Sequence, residues 1–202
     1  MKKKLLFNIS LFICVLVFQR MCQIRVYKNG KKLLKDTKPL PDILHNYLNN
    51  NNPYVNKILC KDKTGLADFI TFIFSLSTTL YLLKNRKLEI INETLKIFSI
   101  LFLLRSITFN MTILPVPIPC SFKLVTGGCH DLIFSGHYIF LTVALYIILN
   151  LKINIYFKIF SVFMFIVSII STLTCKRHYT VDIILSMVLS ILFCIIFLKN
   201  KL

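Results

Sequence analysis

The sequence has no tryptophan, five glycines and six prolines in 202 residues, and eight aspartates and glutamates against 25 lysines and arginines. So little glycine and proline excludes a collagen-like chain, and seven cysteines are too few for a disulfide-built scaffold of this length. Disorder is excluded from the other direction. Apolar residues make up 56% of the chain, above the roughly 45–50% of a soluble domain. The chain is also too short for two ordinary domains and a linker. What is left is a small, all-α, polytopic membrane protein.

The scarcity of acids gives a formal charge of +17. A nucleic-acid partner is not expected, because the basic residues are scattered between apolar runs instead of gathered on one face. Anionic lipid headgroups or substrate phosphates suit them better. Many loop lysines need no partner, since Lys, Asn, Ile and Phe are abundant throughout.

A hydrocarbon core of about 30 Å takes about 20 helical residues to cross. Six segments meet or approach this: Leu5–Phe18, Leu66–Leu83, Ile90–Leu114, Leu132–Leu149, Ile155–Leu173 and Val181–Leu198. The first also resembles a signal peptide, but Gln19-Arg20-Met21-Cys22 is a poor cleavage site, so a retained span is expected. No cytosolic domain is expected before it. Lys and Arg in the short connections set the orientation. They number ten on the side of both termini and three on the facing side, which predicts cytosolic termini. The long extramembrane connection from Gln19 to Gly65 runs the other way, with ten of its own. The three Asn-x-Ser/Thr sequons, at Asn8, Asn92 and Asn110, lie in or beside spans and are read as chance.

The fourth and sixth spans run in the same direction, so Ser135-Gly136-His137 and His178-Tyr179-Thr180-Val181-Asp182 are expected at one non-cytosolic surface. Four residues separate His178 from Asp182, which on a helix places them on one face. A carboxylate that takes one imidazole N–H leaves the other nitrogen as a nucleophile. His137 is then the general acid for the departing oxygen. Helix N-termini favour anions, and Lys176 and Arg177 stand beside one of them. The combination predicts phosphoryl transfer through a phosphohistidine, with no metal or other cofactor required. A zinc site from Cys129, His130, His137 and His178 matches no known ligand spacing. Arg105 lies inside the third span, where a guanidinium needs a partner or must snorkel to the surface. Asp182 or a substrate phosphate would serve.

Ser135-Gly136-His137 and Arg177-His178-x3-Asp182 resemble two motifs of the lipid phosphate phosphatase superfamily. One branch is more similar. Pro39-Leu40-Pro41-Asp42, then Arg105-Ser106-Ile107-Thr108 with Leu114-Pro115-Val116-Pro117, then Cys129-His130-Asp131 through His137, and finally His178 to Asp182 resemble the motifs of sphingomyelin synthases in order. The resemblance implies six spans with cytosolic termini, His178 as nucleophile supported by Asp182, and His137 as the proton carrier. It further implies a substrate site that includes Arg105, Asp131, Ser135, Gly136 and Arg177. The substrates it implies are ceramide and a glycerophospholipid, most simply a choline phospholipid. The place is the Golgi or plasma membrane with the site lumenal or extracellular, and a homo-oligomer is compatible with it. The loop from Pro117 to Asp131 is shorter than in animal members, and His130 replaces their glycine. Five cysteines fall on the lumenal side, where Cys120 and Cys129 could close a short loop or stay as thiols. Two other readings stand: a lipid phosphatase or phospholipase C-like hydrolase, although the superfamily's first motif is absent, and a non-catalytic membrane scaffold.

Overall fold

The computed structural model describes residues 2–34, 37–51, 66–117 and 132–202. The described residues form seven helices and no strand. These are α1 (Lys2–Leu33), α2 (Ile43–Asn51), α3 (Leu66–Lys84), α4 (Leu88–Met111), α5 (Gly136–Asn150), α6 (Ile155–Thr174) and α7 (Thr180–Leu198). By length and composition α1, α3, α6 and α7 can cross a membrane, whereas α5 is apolar but shorter, at 15 residues. Helix α4 has 24 residues and carries Glu89, Glu93, Lys96 and Arg105.

The surface is turned inside out relative to a water-soluble bundle. On α6 and α7 the large side chains point outward, among them Phe157, Phe160, Phe163, Ile184, Val188 and Ile195, while Ser161, Ser168, Ser186 and Ser190 are fully buried. A helix in water reverses this. In lipid, small residues allow backbones to approach where no hydrophobic drive exists between helices. On α7 the buried stripe repeats every fourth residue: Asp182, Ser186, Ser190, Cys194, Leu198. Four apolar spans with such a surface fit a multi-pass membrane protein.

The short helix α5 occupies the centre, packed on α3, α4, α6 and α7. Tyr138, Ile139, Leu141 and Val143 are completely buried there, and the Tyr138 hydroxyl donates to Thr172 Oγ1 at 2.9 Å. Helix α1 leans on α4. Asn8 Nδ2 donates to Asn92 Oδ1 at 2.7 Å, and Phe12 meets Phe98 and Phe102. Two of the three sequon asparagines thus face each other within a helix pair.

Three helix ends differ from the apolar runs in the sequence. Helix α1 continues beyond Phe18 to Leu33, and α2 lies further along the same connection. Polar residues from Gln19 onward end the apolar run, but with no proline among them they leave helical propensity intact. Helix α4 stops at Met111, ahead of Pro115 and Pro117, which disfavour helix in the residues before them. Helix α5 begins at Gly136, not Leu132. Leu132 to Ser135 is an irregular turn in which Ile133 has φ 74°, a left-handed conformation that costs a β-branched residue about 1–3 kcal/mol.

Candidate active site

Three helices begin at one end of the bundle: α3 near Asp68, α5 near His137 and α7 near Asp182. Each brings the positive end of its dipole. His137 is in the first turn of α5, and its ring lies edge-on to that of His178 with centroids 6.3 Å apart.

His178 and Asp182 are neighbours, but not as two positions on a helical face. The N-cap of α7 is Tyr179, so His178 precedes the helix. Asp182, three residues past the N-cap, reaches back and accepts the Tyr179 N–H at 3.0 Å with Oδ2. The same oxygen is 3.4 Å from His178 Nδ1. That separation is long for a hydrogen bond. The other oxygen, Oδ1, accepts the Ile133 N–H at 2.8 Å. Asp182 is completely buried and ties the start of α7 to the strained turn ahead of α5.

Ser135 caps α5, and its buried hydroxyl has no hydrogen-bond partner among the described residues. A Cβ at Gly136 would make ordinary contact with its neighbours, 3.4 Å from Phe102 Cε1 and 3.7 Å from Arg105 Nε. Arg105 does not snorkel. It is 4% exposed, its Nε donates to the Phe134 carbonyl, and its guanidinium lies over the Phe109 ring at 5.2 Å. Arg105 therefore holds the backbone that presents Ser135. Asp131, expected with these residues, lies outside the described residues, as do Cys120, Cys129 and His130.

Arg177 follows a tight turn in which Lys176 has φ 50°. Arg177 Nη1 donates to Asp68 Oδ2 at 2.9 Å, and Asp68 Oδ1 is 2.8 Å from His137 Nε2. Asp68 is absent from the site expected on sequence grounds. Its signal was available, since an acid in the first turn of an apolar span is a functional candidate by the same reasoning that singles out Asp182.

The remaining motif residues form a latch. Asp42 Oδ1 accepts the Leu44 and His45 N–H groups, capping α2, and also the Thr180 hydroxyl at 2.8 Å. Its Oδ2 accepts the Thr180 N–H at 2.7 Å. Burial pushes the Asp42 carboxyl up, but the Thr180 N–H, the Thr180 hydroxyl and the His45 N–H outweigh it and hold the group below its ordinary value. The Tyr179 hydroxyl accepts from the Leu40 N–H at 3.0 Å and donates to the Pro115 carbonyl at 2.9 Å. His45 stacks on Tyr179 and places Nε2 2.8 Å from the His178 carbonyl. Residues 39–42, 114–117 and 178–180 are thereby joined beside the two histidines. Tyr179→Phe is expected to lower stability by roughly 0.5–1.5 kcal/mol for each hydrogen bond lost, one from the Leu40 N–H and one to the Pro115 carbonyl. Thermal unfolding in detergent measures it, and an unchanged midpoint argues against the latch.

Cys175, at the end of α6, is disulfide-bonded, while Cys14, Cys22 and Cys194 are free.

This pair of histidines, one backed by a buried aspartate, sits within the segment that carries a detectable similarity. Residues 128–200 match the family model described as PAP2 superfamily C-terminal. The match spans α5, α6 and α7, including His137, His178 and Asp182. It supports the lipid phosphate phosphatase superfamily, and with it an enzyme acting on the phosphate esters of lipids. No curated protein and no solved structure matches the chain.

Proposed function

We propose that the protein is a sphingolipid synthase, which moves a phosphoryl headgroup from a glycerophospholipid to the primary hydroxyl of ceramide and releases diacylglycerol. One observation carries the phosphoryl-transfer part: two imidazoles meet at parallel helix starts, one of them backed by a fully buried carboxylate. The synthase part is supported by the latch. Residues 39–42 and 114–117, which carry the resemblance to synthases, end on Tyr179 and Thr180 beside the nucleophile.

In this reading Asp182 accepts a hydrogen bond from the Nδ1–H of His178, which leaves the Nε2 lone pair to attack phosphorus. The diacylglycerol oxygen departs with a proton from His137, and His178 carries the phosphoryl headgroup. His137 next removes the proton from the ceramide hydroxyl, and that oxygen attacks phosphorus and frees His178. Arg177 and the dipoles of α3, α5 and α7 stabilise the charge on the phosphoryl oxygens. Arg105 acts through the Phe134–Ser135 backbone, which it holds. The six spans are α1, α3, α4, α5, α6 and α7, with both termini cytosolic and the histidines at the lumenal or extracellular surface. The basic connections Lys84–Lys87 and Leu151–Lys158 support this, since they lie at the far ends of the helices whose starts hold the site.

Hydrolysis is the second reading, favoured by the 35% exposure of the His137 side chain, which leaves the proton carrier open to water. Purified protein in liposomes with fluorescent ceramide and one donor phospholipid at a time separates the two. Labelled product with one donor is the expected result and names the headgroup. Diacylglycerol release without labelled product is the hydrolase result.

A further inference from the structure

The site contains two aspartate–histidine pairs, and they are built differently. Asp182 is fixed. Its side chain is 0% exposed, and both its oxygens accept backbone N–H groups, from Ile133 and Tyr179. Asp68 has no such anchorage. Its side chain is 26% exposed, and among the described residues its carboxylate contacts two donor groups of the site, His137 Nε2 at 2.8 Å and Arg177 Nη1 at 2.9 Å. A carboxylate bridging an imidazole N–H and a guanidinium N–H uses the donors that two oxygens of a phosphoryl group would use. The pairing is also electrostatically exclusive. A phosphoryl group seated on the same two donors would meet the Asp68 charge at contact distance, so one anion must leave.

We infer that Asp68 is the resident anion of the phosphate subsite: its carboxylate bridges His137 and Arg177 until a phosphoryl group displaces it. This rests on the phosphoryl-transfer reading of the site. The displaced carboxylate has a second place to go. Asp68 is in the first turn of α3, whose N–H groups lack helical acceptors and whose dipole favours a negative charge. A change of side-chain rotamer, without movement of the helix, is enough. In the resting state the bridge keeps His137 and Arg177 in register and sets a threshold against weakly bound anions. It also makes Asp68 a positioning residue that substrate must outcompete, so its charge weakens binding of the very group the site accepts.

The test uses the full chain in nanodiscs and inorganic phosphate as the probe, with affinity read by calorimetric titration at one fixed pH. Asp68→Asn is expected to bind phosphate at least about tenfold more tightly than the wild type, because a like charge has left the subsite. Asp68→Ser, neutral and shorter, is expected to do the same, which guards against misfolding of one variant. A merely structural role predicts the opposite sign, weaker binding from a loosened His137 and Arg177. Unchanged or weaker binding in folded variants overturns the inference. Lipid turnover by the wild type combined with that outcome leaves the phosphoryl-transfer reading standing. Tighter phosphate binding by the variants with no lipid turnover by the wild type keeps the resident anion and removes the enzyme reading. No phosphate binding by any of the proteins overturns the inference, and lipid turnover by the wild type then decides the phosphoryl-transfer reading by itself.

Discussion

His178→Ala is expected to lower turnover by at least about 10³-fold, with the protein still inserted and folded, because among the described residues no other side chain is placed to form the proposed covalent intermediate. His137→Ala is expected to fall by about 10²–10⁴-fold, the range for loss of a general acid. The two losses differ in kind, and the leaving group exposes the difference. A nitrophenyl phosphodiester loses nitrophenolate, which departs as a stable anion and needs no proton. It should therefore restore much of the first step in His137→Ala and none of it in His178→Ala. Nitrophenolate release followed by absorbance measures both. Equal rescue of the two variants would sink the assignment of nucleophile and acid, and full activity in His178→Ala would remove the phosphohistidine altogether.

Asp182→Asn should be nearly as damaging although it changes one atom. The carboxylate accepts on both oxygens, from Ile133 N–H and from Tyr179 N–H, while also facing His178 Nδ1. An asparagine offers one oxygen, and its amide nitrogen then confronts a donor. If the oxygen serves Tyr179, the Ile133 N–H is left unpaired, at roughly 1–3 kcal/mol, and Ile133 loses the contact that holds it at φ 74°. If it serves Ile133, the amide faces His178 and favours the tautomer with the wrong nitrogen protonated. The expected result is an activity loss on the order of 10³–10⁴-fold together with a lower unfolding midpoint. Loss of activity with no change in the midpoint would show that Asp182 acts on His178 alone and not on the turn. Retention of activity would remove Asp182 from the site.

The histidines and Asp182 are legible in the sequence because local rules suffice for them. Counting spans places His137 and His178 at one surface, and a spacing of four keeps Asp182 within reach of His178. The helical-face argument reached the right pair by a different geometry, since capping rather than helical periodicity brings the carboxylate back to Tyr179 and His178. What was not legible depends on contacts far apart in the chain. Asp68 meets Arg177 across 109 residues, and Asp42 meets Thr180 across 138. Neither partner can be chosen from one sequence, although each acid is conspicuous in a chain with only eight. The extent of α1 was hidden for another reason. Hydropathy marks where lipid-compatible residues stop, whereas a helix continues until its backbone is interrupted, and Gln19 to Leu33 contains a single glycine and no proline.

The Tyr179 and Asp42 latch also has a consequence for how the protein is made. The Leu40 N–H waits for a phenol 139 residues downstream, and Asp42 waits for Thr180. At synthesis rates of about 5–20 residues per second, residues 39–42 spend several seconds or more without the partners that fasten them. The histidine pair is in the same position, since His178 emerges only with the final helix described here. On the proposed function, a nascent chain has no working site until insertion of α7, and partially inserted copies are chemically silent toward the lipids around them.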